Sequence, residues 1–162
     1  MKIWVDSDSC PRQIRKIIIK ASLRVKIETI FVANRIIPEV DDECSSMQLV
    51  PDGEGEADKY IYENSANGDI AITRDIPLAS DLVKKGLLVL DDRGNVFTAD
   101  NIGERLSLRN AMTELRSYGV MSRSTGTMNN RDIQLFANAF DKELRVWQNN
   151  KGKAGFLKNK KY

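Results

Sequence analysis

Apolar positions come in short bursts along this chain, and their spacing predicts alternating strands and helices over the first two thirds. Lys2–Asp6 reads as an apolar strand with a polar end, and Pro11 suits the first turn of a following helix. Ile14, Ile17, Ile18 and Ala21 then keep the i, i+3, i+4, i+7 rhythm of a helix packed on one face. Lys26–Val32 alternates as a second strand, and Ser46–Val50 gives a weaker third. Past the loop at Pro51–Gly55, Glu56–Asn64 reads as a short helix with Ala57, Tyr60 and Ile61 inward. Asp69–Thr73 is a fourth strand, and Pro77–Lys85 a helix closed by Gly86. Leu87–Asp91, apolar up to its last residue, is a buried fifth strand, and Asp92–Asn95 is a turn.

Beyond that turn the pattern becomes helical. Asp100 is placed to cap a helix that runs to Tyr118 and stops at Gly119. Ser122–Asn130 reads as a loop, and Ile133, Phe136, Ala137, Phe140, Leu144 and Trp147 line one face of a final helix. The expected fold is therefore α/β, three-layered, with a central mainly parallel sheet and a helical C-terminal part. Residues 1–150 form one domain in this reading, and 151–162 a basic, flexible tail.

Composition narrows the chemistry. The chain has no histidine, which removes Ser–His–Asp and Cys–His machinery and any zinc site built on imidazole. Cys10 and Cys44 sit in dissimilar surroundings and are expected as reduced thiols. A charged residue arrives too early at the N-terminus for a secretory leader, and no apolar run approaches membrane length, so a cytoplasmic protein is expected. Charge is uneven: from Lys142 onward seven Lys or Arg stand against Glu143 alone. With +2 overall, the segment before it is acidic, an asymmetry that hints at a polyanionic partner.

Open parallel sheets collect functional groups beyond the carboxyl ends of their strands. Here that edge receives Asp6 and Asp8 after the first strand, Asp75 after the fourth, and Asp91 and Asp92 after the fifth. Asp58, in the first turn of a helix, points to the same edge. Acids so crowded repel one another, and a bound Mg²⁺ or Mn²⁺ resolves the conflict with the oxygen donors it prefers. Simpler roles compete: a helix N-cap for Asp75, a solvated first-turn acid for Asp58, an Asx turn for Asp8. Asp69 enters its strand from the other end of the sheet and is expected in a turn. Asp6, half-buried directly after Ile3-Trp4-Val5, needs a partner that its sequence neighbours do not supply.

The run Trp4-Val5-Asp6-Ser7-Asp8-Ser9-Cys10-Pro11 resembles the opening motif of the YaiI/YqxD family, with serines where the family carries alanines. Gly55-Glu56-Ala57-Asp58, Gly68-Asp69-Ile70 through Thr73-Arg74-Asp75-Ile76-Pro77, and Asp92-Arg93-Gly94 leading to Asn101-Ile102 extend the match in order. The likeness runs to about Leu144 and departs from the family at Ser124-Thr125-Gly126-Thr127, where a Gly-Gly-Pro loop is common. It implies a PIN- or NYN-like nuclease fold in which Asp6, Asp58 and Asp75 hold Mg²⁺ or Mn²⁺, with Asp8 a neighbouring acid.

Three functions fit this reading. The first is a metal-dependent nuclease acting on RNA: Asp6, Asp8, Asp58 and Asp75 are catalytic, and Thr73, Arg93 and Asn101 contact phosphate. The second is a haloacid-dehalogenase-like phosphatase with Asp6 as nucleophile and Thr73, Lys84 or Lys85 and Asp91-Asp92 in the later roles. The third is a non-catalytic RNA-binding module, in which Lys151–Lys161 track a backbone while Trp147, Phe156 and Tyr162 stack on bases. Monomer and dimer are both compatible with the sequence.

Overall fold

The structure is a computed structural model that describes residues 1–120 and 126–158, with side chains as far as Lys151. Five helices surround a six-stranded sheet in a three-layer α/β arrangement. In chain order the elements are β1 (Ile3–Asp6), α1 (Arg12–Val25), β2 (Thr29–Ala33), β3 (Ser45–Leu49), α2 (Glu56–Asn64) and β4 (Ile70–Ile72). They continue with α3 (Ile76–Lys84), β5 (Leu88–Leu90), β6 (Val96–Phe97), α4 (Ile102–Ser117) and α5 (Asn130–Lys158). The strand order is β3-β2-β1-β4-β5-β6, parallel except for β6, which runs antiparallel to β5. The chain winds outward from β1 through β2 and β3, then crosses back to β4 on the other side. The reversal therefore falls between β1 and β4, the place at which open parallel sheets form their binding crevice.

Alternation along the buried strands divides the core in two. Ile3, Val5, Phe31, Ile70, Ile72 and Leu90 face α1 and α5, where Ile14, Ile18, Phe136, Phe140 and Leu144 meet them. The Phe136 and Phe140 rings stack there at 5.4 Å. Trp4, Ile30, Val32, Ala71 and Val89 face the other way, onto Ile61 of α2, Leu78 and Leu82 of α3 and Ile102 of α4. By the same parity, Asp6 and Thr73 project toward the layer that holds α2 and α3.

The β3 edge is shielded by its own loop: Asp41 accepts the Met47 N–H and Asp42 the Ser45 N–H. These carboxylates occupy donors that a foreign strand would need. At the turn after β5, Gly94 has φ +85° and lies so near α5 that a Cβ would come within 2.6 Å of the Leu135 carbonyl. Only glycine lets this turn rest on the helix.

Some sequence expectations change. Asn101, rather than Asp100, stands at the N-cap position of α4. β6 is a strand that the sequence pattern does not announce, because two residues are too few for any periodicity to show. The α5 backbone stays helical to Lys158, while Phe156 and Tyr162, assigned a stacking role above, lie outside the described side chains. The first part of the Ser122–Asn130 loop, residues 122–125, lies outside the described residues as well. No described helix is long and apolar enough to cross a membrane.

Candidate metal and active site

Asp6 ends β1 on the α2/α3 side with 8% of its surface exposed. The partner it requires comes from the next strand in space, not from its sequence neighbours: Thr73 donates its hydroxyl to Asp6 Oδ2 at 3.0 Å. The same Thr73 oxygen accepts the Asp75 N–H at 3.0 Å. This threonine thus bridges β1 and β4 at the point where the winding reverses, and it fixes the start of α3 relative to Asp6. Burial pushes the Asp6 carboxyl above its usual range, and the charges of Asp8 and Asp75 add to the shift; the hydroxyls of Thr73 and Ser9 oppose it.

Asp75 is the N-cap of α3: its Oδ1 accepts the Leu78 N–H at 2.8 Å, and Pro77 follows within the first turn. Capping occupies one of its two carboxylate oxygens. Asp58 enters from the first turn of α2. Burial raises it most, then the charges of Asp75 and Asp6 and a hydrogen bond shared with Asp75, to a pKa of about 7. Asp58 therefore keeps its proton into the neutral range, while the neighbouring carboxylates oppose its ionisation. The three acids expected together from sequence are therefore in electrostatic contact. The N-cap reading of Asp75 also holds, so that residue serves both the helix and the cluster.

Asp8 stands on the β2 side of the group. Its Oδ2 accepts the Asn34 N–H at 3.2 Å, while the buried Oδ1 has no hydrogen-bond partner. Arg35 approaches that oxygen at 3.8 Å from the solvent side. An unsatisfied carboxylate oxygen beside Asp6, with Asp58 and Asp75 close by, is a donor set suited to a hard divalent cation. As the side chains stand, no three acidic or thiol groups among the described residues converge on one point within ligating distance.

The remaining acids of this edge are committed elsewhere. Asp91 accepts the N–H groups of Arg93 and Asn95 and the Asn95 amide, all within its own turn. Asp92 is buried and takes the Arg74 guanidinium at 2.6 Å. Asp69 does sit in a turn, but it also carries tertiary load. Its carboxylate accepts the Lys2 N–H, the Trp4 indole N–H and the Ala66 N–H.

Of the expected phosphate contacts, only Thr73 stands at the acids. Arg93 spans from Asp132 to the Gly126 carbonyl and ties the β5–β6 turn to α5. Asn101 closes a turn onto Thr98 and Val96 after β6 has carried the chain back toward the opposite edge. The lysines proposed for a phosphatase end α3, about 13 Å along the helix from its start at Asp75. There Lys85 reaches the Tyr62 carbonyl and lies over that ring. No lysine of that reading stands beside Asp6.

Sequence reasoning missed the groups that flank the acids. Lys59, Tyr62 and Asp81 join Asp58, Asp75 and Leu78 around an open cleft of about 330 Å³ between α2 and α3. Helical spacing was the available signal, since Asp58 and Tyr62 are four apart and stand on one face. A larger groove of about 390 Å³ lies between α1 and α5, on the other side of the sheet from these acids.

Protonation of this cluster sets a pH dependence. The folded protein holds the Asp58 and Asp6 protons more tightly than the unfolded chain does, so its stability falls as pH rises from about 4 through about 7. After allowance for the partial exposure of Asp58, the loss from that residue is about 2 kcal/mol. In metal-free urea titrations, Asp58→Asn should be more stable than wild type at pH 8 and equal to it near pH 4. A variant less stable than wild type at pH 8 would make Asp58 a structural acid.

A family model described as "Uncharacterized BCR, YaiI/YqxD family" matches residues 4–146. A "UPF0178 protein" of Treponema denticola is 51% identical over 144 residues, covering 89% of this chain and 92% of the relative. UPF0178 proteins of Myxococcus xanthus and Syntrophobacter fumaroxidans are 48% and 42% identical, covering 89% of this chain and 94% of each relative. No solved structure matches the chain. The family model covers the sheet from Trp4 onward and the positions of Asp6, Asp8, Asp58 and Asp75, and the chain belongs to the YaiI/YqxD family.

Proposed function

We propose that the protein is a divalent-metal-dependent nuclease of PIN-like type that cleaves phosphodiester bonds, with RNA as its substrate. The observation that carries this reading is the meeting of Asp6, Asp58 and Asp75 at the β1/β4 crevice, where burial and their mutual charge keep Asp58 protonated up to about pH 7. An arrangement that works against its own ionisation needs a cation to function at neutral pH. Asp6, Asp58 and Asp75 would hold Mg²⁺ or Mn²⁺, and the unpartnered Oδ1 of Asp8 provides a further oxygen on the β2 side. When bound, the ion would polarise a phosphoryl oxygen and lower the pKa of a water.

The chain's own groups supply orientation. Thr73 holds the Asp6 carboxylate and the α3 N-terminus in one hydrogen-bonded unit, so neither acid can turn away independently. Lys59, on the rim of the adjacent cleft, would meet a phosphate. The basic segment after Trp147 would add sequence-independent attraction; its first lysine, Lys151, lies over the Trp147 ring at 5.0 Å.

The test is cleavage of a labelled single-stranded RNA by purified protein with Mn²⁺, with EDTA, and with Asp6→Asn in Mn²⁺. The expected result is cleavage by wild type in Mn²⁺ alone, with a loss of at least ~100-fold in the variant. Cleavage that survives in Asp6→Asn would place the activity in a contaminant or at another site.

A further inference from the structure

Acids that attract a divalent cation also repel the polyanion that the proposed reaction brings beside it. A strand crossing this edge therefore needs protein cations on both sides of Asp6. Lys59 stands on the α2/α3 side. The other side holds Arg74.

Arg74 follows Thr73 directly and lines a narrow niche with Asp6, Ser9, Cys10, Ile72 and Asp92. Ile72 and Cys10 belong to the core beneath α1 and α5, so the niche lies across Asp6 from the helices that carry Asp58 and Asp75. Asp92 fixes the guanidinium there: Nε and Nη2 both meet its Oδ2, at 2.6 and 2.5 Å. The pair is lopsided, with the Asp92 side chain 4% exposed and the Arg74 side chain 44%. A buried carboxylate thus holds a half-exposed guanidinium still, and a planar donor fork fixed in this way suits a phosphate.

Two observations place Arg74 beside the acids rather than among them. The Asp92 hydrogen bond raises Arg74 above the usual guanidinium range, and the carboxylates that act on it most are Asp92 and Asp91, not Asp6. Arg15 of α1 extends the same basic side by donating to the Cys10 carbonyl. Burial pushes the Cys10 thiol up to about 12, while the charges of Arg15 and Arg74 both draw it down, so two cations flank one neutral sulfur.

We infer that Arg74, aimed by Asp92, binds the substrate phosphate next to the one at the acids, and that the strand continues past Arg15. This inference rests on the nuclease reading and gives the substrate a path, with Lys59 on one side of Asp6 and the two arginines on the other.

Binding of a fluorescein-labelled single-stranded RNA, followed by anisotropy in EDTA over a salt series, tests it without cleavage. Arg74→Gln alone strands a buried carboxylate, so the variant is Arg74→Gln with Asp92→Asn, set against Asp92→Asn, which keeps the cation. The double variant should bind about tenfold more weakly than Asp92→Asn, with a log–log salt slope shallower by about 0.7. Arg15→Gln, which leaves no buried charge behind, should lose affinity in the same sense. In Mn²⁺ the loss in the double variant should fall on KM rather than kcat. An RNA with one uncharged methylphosphonate beside the cut linkage should be cleaved alike by the double variant and Asp92→Asn. Equal affinity and slope in the double variant and Asp92→Asn would overturn the proposal, as would a wild type that binds no RNA at the lowest salt. If the double variant fails to fold, unchanged binding by Arg15→Gln overturns it instead. Binding that follows these expectations in a wild type that never cuts RNA would sink the nuclease reading and leave the phosphate contact standing.

Discussion

Asp69→Ala should cost about 3–5 kcal/mol, a large share of the ~5–15 kcal/mol that holds a domain of this size together. The carboxylate is buried and accepts three donors from three places: the Lys2 N–H at 2.8 Å, the Trp4 indole at 3.0 Å and the Ala66 N–H at 2.9 Å. Together these fasten the entrance of β4 to the entrance of β1. Truncation leaves an indole N–H and two backbone N–H groups without acceptors in a site that water enters poorly, and each such loss costs about 1–3 kcal/mol. Asp69→Asn separates the contributions. Its remaining carbonyl can still take the Lys2 N–H, while its NH₂ turns toward two donors, so about half the loss should return. Urea unfolding followed by tryptophan fluorescence measures both variants. A change below ~1 kcal/mol in Asp69→Ala would mean that the turn holds without its carboxylate.

Asp69 also shows where the sequence stops being informative. Its place in a turn was legible, because Gly68 before it and an apolar strand after it leave few alternatives. Its bond to Trp4 spans 65 residues, and no local pattern encodes it. The same holds for Asp6. A half-buried acid with no basic neighbour signalled a missing partner, and the partner proved to be Thr73, 67 residues away. Strand and helix positions were readable because burial on one or both faces stamps a period on the chain, and α2 was placed residue for residue. Strand order was not readable, since β2, β4 and β5 are similar apolar runs and topology alone decides which pair lies beside β1. Arg93 and Asn101 looked like phosphate contacts for a comparable reason: a polar residue that closes a turn and one that meets a ligand have the same local context. The acids differ because three separate segments deliver them to one edge, which turn chemistry does not require.

Mn²⁺ should raise the stability of the wild-type protein by about 2.7 kcal/mol at a hundredfold excess over its dissociation constant, and Asp6→Asn should abolish most of that gain. Asparagine preserves the volume of Asp6 and still offers an oxygen to the Thr73 hydroxyl, so the β1–β4 link survives and the fold is not what is tested. What it removes is a negative charge from the centre of the cluster. That charge is one of the causes that raise Asp58 to about 7, so its loss also lets Asp58 ionise more readily and relieves the metal-free protein. Asp6→Asn should consequently melt slightly above wild type in EDTA and below it in Mn²⁺, an inversion that a purely structural acid cannot produce. Ion binding must displace the proton that Asp58 holds up to about pH 7, so the Mn²⁺ gain should grow between pH 6 and pH 8 and fade below it. Thermal melts of both proteins at those two pH values, with and without the ion, complete the comparison. An equal response from wild type and Asp6→Asn would move the ion away from this crevice, and no response from either would leave the four acids without a cation to hold.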